Sequence, residues 1–408
     1  MPTQRIVSGF RKHFSKFTHL SETPIGWDFE KEILTFKHIT GNKWILVWNL
    51  NMLVAVDTLG LWSVFYILYD QYSRLMTNQG TLNLTDFLVI LFYGIAFIYG
   101  LSLHVVVNTY GKDAVNGWNE MKKFHENISH LDSNKKPKSL LTLNSKLDAT
   151  LDYIVKISGI MPFVITISAV LTSFDSYFYI IQCLSDTYGY NLVVLSILHC
   201  IRFSLLSIAA YEICRLLCLI SLMLVYMLIT VGDIYSNLIG NIGLHLDLNT
   251  FKNLIFTYSA TYISNKCYAP FQELGTLLGI SYGIFIASIG NFVTVKAYDV
   301  LPLPIYFIFP AISGATLFFV NLTLPYGHGL HEMTVAFLKR CGTSAGIRGG
   351  IVGKYMRCKL RGMRPLLFYS GFGGIRLFTY DRDQRMDYFE AVIGVTLTLL
   401  LGVPELYG

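Results

Sequence analysis

Long apolar runs alternate with polar, charged segments along this chain. Seven runs stand out, at 44–68, 87–108, 153–181, 192–231, 274–295, 303–324 and 388–403. Crossing about 30 Å of hydrocarbon takes roughly 20 helical residues at 1.5 Å each. The pattern predicts an all-α membrane protein with seven transmembrane helices. The last run is the shortest. The fourth is too long for one crossing, so its final turns are expected to continue into water as helix. Glu212 and Arg215, three residues apart in that run, fall on one helix face and are expected to pair.

Positive charge orients the runs. Twenty-seven Lys and Arg lie before the first run, between the second and third, between the fourth and fifth, and between the sixth and seventh; Arg74 and Lys296 alone lie on the other side. Basic segments stay in the cytoplasm. The amino terminus is therefore expected inside, the carboxyl terminus outside, and the protein in the plasma membrane as a multi-pass chain. No cleavable signal peptide is visible, so the first run is expected to act as the insertion signal. The chain divides into a cytoplasmic amino-terminal segment (1–43), six helices with their loops (44–324), a cytoplasmic anchor segment (325–386) and a last helix with its tail (387–408). Asn83-Leu84-Thr85 is a glycosylation sequon in the first outside loop, making Asn83 a candidate glycan site; Asn127-Ile128-Ser129 falls in the cytoplasm.

Composition agrees with a lipid environment. Of 408 residues, 53% are hydrophobic and 14% charged, against about 25% charged in soluble proteins. Seven cysteines without a CxxC pair support neither a disulfide framework nor a zinc site. HExxH and GxSxG are absent, and the glycine runs at 342–353 and 370–374 lack a Walker lysine, so they read as turns around a cytoplasmic helix. His328, His331 and Glu332 would share a helix face, but Gly327 and Gly329 suggest a solvated turn there. No enzyme activity, cofactor, metal or nucleic-acid partner is expected. Charge inside the runs is costly and so informative. Asp57, Asp175 and Arg202 lie within them, and the last two are expected at similar depth, where either they pair across a water-filled cavity that opens outward or each snorkels to the headgroups. The same three residues would be the coupling groups of a secondary transporter, and a signalling receptor without a pore is a further alternative.

The carboxyl-terminal region reads Lys359-Leu360-Arg361-Gly362-Met363-Arg364-Pro365-Leu366, then Phe378-Thr379-Tyr380-Asp381-Arg382-Asp383, then the last apolar helix. This resembles the basic Arg-Pro-Leu segment, aromatic stretch and pore helix of the arthropod gustatory and odorant receptor superfamily, closest to a divergent gustatory receptor. The last helix departs from the gustatory pattern: the family's Tyr and Gln are missing from Val395-Thr396-Leu397-Thr398-Leu399. The resemblance implies a ligand-gated, non-selective cation channel for a small-molecule tastant or odorant, assembled as a homo- or heterotetramer within membrane lipid. It implies a ligand pocket in the outer half of each subunit, where the expected topology places Phe92, Tyr93, Tyr177, His199, Phe203, Tyr306 and Phe309. It also implies a pore lined by the last helix. There Asp387 and Glu390 would ring the inner mouth and Glu405 the outer one. One face carries Glu390, Gly394, Leu397 and Leu401, and its neighbour Ile393, Thr396 and Leu400.

Overall fold

In the computed structural model, residues 2–77, 84–131, 140–243, 246–380 and 383–402 are described. Asn83 and Glu405 lie outside them. The elements, in order, are α1 (Pro2–Lys16), β1 (Ile25–Asp28), β2 (Ile33–Phe36), α2 (Lys43–Met52), a π-helical stretch (Leu53–Thr58), α3 (Leu59–Met76), α4 (Leu84–Leu131), α5 (Leu140–Thr172), α6 (Ser176–Tyr188), α7 (Leu192–Gly240), α8 (Leu248–Lys296), α9 (Leu303–Tyr306), α10 (Ile308–Arg348), α11 (Gly350–Arg361), β3 (Tyr369–Phe372), β4 (Ile375–Thr379) and α12 (Gln384–Gly402). Among the described residues six helical units are long and apolar enough to cross a membrane: Lys43–Arg74, Leu84–Glu126, Leu151–Tyr188, Leu192–Gly240, Leu248–Lys296 and Leu303–Arg348. The chain is a mostly helical, multi-pass membrane protein.

The helices run further than the apolar runs suggest. α7 continues unbroken for 49 residues, as expected, and α8 is also 49 residues long. At 1.5 Å per residue each is about 74 Å, more than twice the hydrocarbon thickness. α4 extends beyond the apolar run to Leu131, because its polar half is amphipathic: Ala114, Val115, Trp118, Met121 and His125 are buried at helical spacing. α8 begins well before its apolar run, burying Phe251, Leu254, Tyr258, Thr261 and Asn265. α10 carries through Pro325, Gly327 and Gly329 to Arg348. The turn expected at His328 is therefore helix, and His328 meets Glu332 at 3.0 Å across one turn.

The amino-terminal segment is folded against the bundle. Phe10 of α1 is fully buried, with its ring 5.5 Å from Trp27, 5.4 Å from Trp118 and 5.5 Å from Tyr226. Lys12 pairs with Asp152 of α5 at 2.6 Å. β1 and β2 form an antiparallel hairpin, Ile25 opposite Phe36, held to α4 by Asn119, whose side chain bonds both backbone groups of Leu34. The 370–374 glycine run forms a second hairpin rather than helix-flanking turns. Gly373 (φ 59°) and Gly374 (φ 86°) supply the two left-handed residues that a tight β3–β4 connection demands. The 342–353 run is helical apart from Gly349, not a run of turns: Gly349 at φ 60° breaks α10 from α11, which starts at Gly350, itself at φ 58°.

The third apolar run is broken. α5 stops at Thr172, Ser173 adopts φ 57°, and α6 starts afresh at Ser176. Asp175 causes the restart by accepting a hydrogen bond from Phe178 N at 3.0 Å, the role of an N-cap side chain.

Candidate functional site

Two regions hold the residues singled out by the sequence. The first surrounds the α5–α6 break. Asp175 is fully buried, and Arg202 of α7 reaches it with Nε at 2.8 Å and with Nη2 as well. Nη2 also donates toward the carbonyls of Ala169 and Val170, at 3.5 and 3.4 Å. The guanidinium lies over the Phe178 ring at 4.9 Å, and His199 Nδ1 is 3.4 Å from Nη1. The two charges meet as expected from their depth. They do so in direct contact inside protein, not across the water-filled cavity expected, because the break swings the Asp175 carboxylate onto α7.

This anchored break positions an aromatic cluster. Tyr93 of α4 donates to the Phe174 carbonyl at 3.0 Å. Tyr177 of α6 donates to the Ala55 carbonyl in the π-helical stretch. The rings of Phe92 and Phe309 stand 5.4 Å apart, Phe174 and Phe309 6.3 Å, Tyr93 and Phe97 5.9 Å, and Phe97 and Tyr177 6.0 Å. Four of the seven predicted ligand residues, Phe92, Tyr93, Tyr177 and Phe309, thus join one cluster spanning α4, α6 and α10. His199 sits at its edge beside Arg202. Tyr306 is half-buried on α9, its hydroxyl on the Thr294 carbonyl at 3.1 Å. Phe203 is 40% exposed, about a quarter-turn around α7 from Arg202, and does not join the cluster. On that outward side an open groove of about 560 Å³ runs past Leu192, Ser196, Ile197, Cys200 and Ile201. It lies on one helix and holds none of the predicted ligand residues. Phe97 and Phe174 were missed by sequence reasoning. Phe174 could have been found from its position beside the buried Asp175.

The second region is α12. It runs alongside α8 in the same direction, Tyr388 near Gly283 and Ser288 donating to the Val392 carbonyl at 3.1 Å. Tyr388 and Val392 are buried with Ala287 of α8 and with Val320 and Leu324 of α10. The other side of the helix is open. Asp387, Glu390, Ile393, Gly394, Leu397 and Leu401 are exposed, with Leu401 at 83%. Thr396 and Leu400 are half-buried, and the Thr396 hydroxyl bonds the Val392 carbonyl at 2.7 Å. The exposed stripe takes in the whole of the first predicted face and only Ile393 of the second. Its carboxylates lie at one end and its leucines at the other.

Among the described residues no three His, Cys, Asp or Glu side chains are grouped to hold a metal. No protein-family model matches the sequence, and no curated protein matches it. Solved structures do. The insect olfactory receptor OR5 from Machilis hrabei superposes with a TM-score of 0.61 at 8% identity, over 98% of this chain and 97% of that one. The same receptor in complex with eugenol gives 0.57 at 10% identity, over 98% of each chain. At such identities the likeness is one of fold, and it runs the length of both chains.

Proposed function

We propose that this chain is a chemosensory receptor that acts as a ligand-gated, non-selective cation channel of the gustatory or odorant type, opened by a small organic molecule at the plasma membrane. The observation that carries this reading is the fold likeness to an olfactory receptor over 98% of the chain. The exposed stripe on α12 supports it independently. On this reading α12 is the seventh crossing, with the amino terminus inside and the carboxyl terminus outside. Four copies, identical or related, surround the pore. Asp387 and Glu390 ring the inner mouth and draw cations in, Thr396 offers hydroxyls, and Leu397, Leu400 and Leu401 form the constriction. Glu405 belongs to the outer mouth and Asn83 to a glycosylated outer loop. The segment 325–386 is the cytoplasmic anchor through which subunits assemble.

The ligand site is the aromatic cluster with its neighbours His199 and Tyr306. Its rings touch one another, so a ligand enters by parting them, and Tyr93 offers a hydroxyl for orientation. The machilid receptor structure with eugenol, a small phenolic molecule, is that protein's own ligand complex; for this chain it motivates a first panel of small aromatic alcohols and phenols. The test is whole-cell current after expression of this chain alone and with a related subunit, across such a panel and a panel of sugars. Ligand-evoked cation current at either pairing is the expected result. Ligand-dependent uptake without current would point to a transporter, and surface delivery with neither would overturn the channel.

A further inference from the structure

Between the first and second crossings, α2 and the π-helical stretch meet α4 through a set of polar side chains that the proposed channel does not use. Asp57, in the π-helical stretch, has its Oδ2 2.7 Å from His104 Nδ1. His104 Nε2 lies 2.9 Å from Asn49 Oδ1. Asn49 Oδ1 also accepts from Asn108 Nδ2 at 3.1 Å. Side-chain exposure is 12% for His104 and 8% for Asp57.

The hydrogens in this set are fixed by two backbone carbonyls, which only accept. The Asn49 amide nitrogen donates to the Ile45 carbonyl at 3.0 Å, and the Asn108 amide nitrogen donates to the His104 carbonyl at 3.0 Å. Flipping Asn49 would set its oxygen against the Ile45 carbonyl and its nitrogen against that of Asn108. Flipping Asn108 as well would set oxygen against the His104 carbonyl. Both amides are therefore locked, and His104 Nε2 faces an oxygen. Nε2 must carry a hydrogen to bond it. That leaves Nδ1 of a neutral ring with a lone pair, directly opposite the Asp57 oxygen. Two acceptors at 2.7 Å repel, so one more proton lies between them.

The structure assigns to Asp57 and His104 a proton-binding site between the first and second crossings: the pair holds one proton, either as imidazolium with carboxylate or as imidazole with carboxylic acid. Both forms are overall neutral, which suits a low-dielectric position better than a bare carboxylate. The charged groups that face it are Glu212 and Arg215 of α7, paired with each other at 2.6 Å. Trp48 links the two sets, donating Nε1 to Glu212 at 2.9 Å, with its ring set edge-to-face on His104 at 5.2 Å between centroids. Tyr177 of α6 bonds the same stretch through the Ala55 carbonyl. Losing the proton would set carboxylate against lone pair and loosen the contact between α4 and the π-helical stretch. A π-helical turn has an already altered hydrogen-bond ladder and is a frequent location for functional sites.

The test uses ¹⁵N-histidine-labelled protein in lipid bilayers, with H104Q identifying the signal of His104. Near neutral pH the expected spectrum has hydrogen on Nε2 together with either a second hydrogen on Nδ1 or an Nδ1 that accepts a strong hydrogen bond. A ring with hydrogen on Nδ1 and none on Nε2, or with a free Nδ1, would overturn the assignment. A second measurement compares the His104 Nδ1 signal of wild type with that of D57N, whose amide donates to Nδ1 in place of the shared proton: the strong hydrogen bond at Nδ1 should weaken in the variant, and an unchanged signal would also overturn the assignment. Neither readout involves current, so failure of this site and failure of the channel reading are distinguishable.

Discussion

Replacing Arg202 with methionine should destabilise the protein more than any surface change. Asp175 and Arg202 are 0% and 2% exposed, and Arg202 makes four kinds of contact: to Asp175, to the Ala169 and Val170 carbonyls, to the Phe178 ring and to His199. Methionine fills similar length but leaves the Asp175 carboxylate buried without its cation. Removing one partner of a buried pair costs about 3–5 kcal/mol, chiefly for the stranded charge. Asp175→Asn should cost less, because the amide oxygen still caps α6 at Phe178 and the guanidinium keeps its two carbonyls. The double variant strands no charge, so its loss should be smaller than the sum of the two single losses. Thermal unfolding of detergent-purified protein reads all four corners of the cycle, and antibody staining reads delivery to the surface. For a chain of this size R202M should lower the apparent melting temperature by ~5 °C. Strict additivity, or an R202M variant as stable as wild type, would refute the claim that this pair holds the α5–α6 break.

Three further outcomes follow from the proposed site and the fold. Cysteines at Leu397 and Leu401 should make ligand-evoked current sensitive to a thiol reagent added outside, whereas one at buried Val392 should not; equal modification of all three would remove α12 from the ion path. Phe309→Ala and Tyr93→Phe should each shift agonist potency about tenfold, a loss of ~1.4 kcal/mol, with surface expression retained. His13 of α1 is 1% exposed, and burial, followed by the Arg215 charge, lowers its pKa from 6.5 to about 3. Its folded pKa is below its unfolded one, so stability is full above about 6.5 and is lost as pH falls from there toward 3. The loss at pH 5 is about 2 kcal/mol, and H13F should abolish that acid sensitivity in thermal unfolding.

The apolar runs revealed where lipid-length helices lie because burial in lipid demands uninterrupted hydrophobicity. They could not reveal the helical extensions. Beyond the membrane α4 and α8 bury only one side, at Trp118 and Met121 or at Phe251 and Tyr258, and such a stripe is diluted by the charged residues on the other side. The pairing of Glu212 with Arg215 was legible from spacing alone, and that of Asp175 with Arg202 from depth. The break at Ser173 was not, since Ser-Phe-Asp-Ser sits inside a run that reads as continuous helix. Without the break, Asp175 would face elsewhere and Phe174 would not reach Phe309. Phe203 went astray for a simpler reason: it follows Arg202 directly, and adjacent helical residues point about 100° apart. The amino-terminal hairpin was hidden because its strands are four residues each.

α12 is the element on which the channel reading turns, and its environment can be argued from its surface. Its 19 residues span about 28 Å, close to the hydrocarbon thickness. Lipid would suit Ile393, Leu397 and Leu401 but not Asp387 and Glu390, which share the same exposed side. Bulk water would suit the carboxylates but not the leucines. One inner side is already committed to α8 and α10 through Tyr388 and Val392. On the proposed reading, a passage between subunits would resolve the conflict, wet and acidic at one end and narrowing to apolar side chains at the other. On that same reading the gradient would draw a permeating cation to the carboxylates and hold it back at the leucines, and the packing of Tyr388 and Val392 against Val320 and Leu324 of α10 is the contact through which a ligand at the aromatic cluster would reach α12.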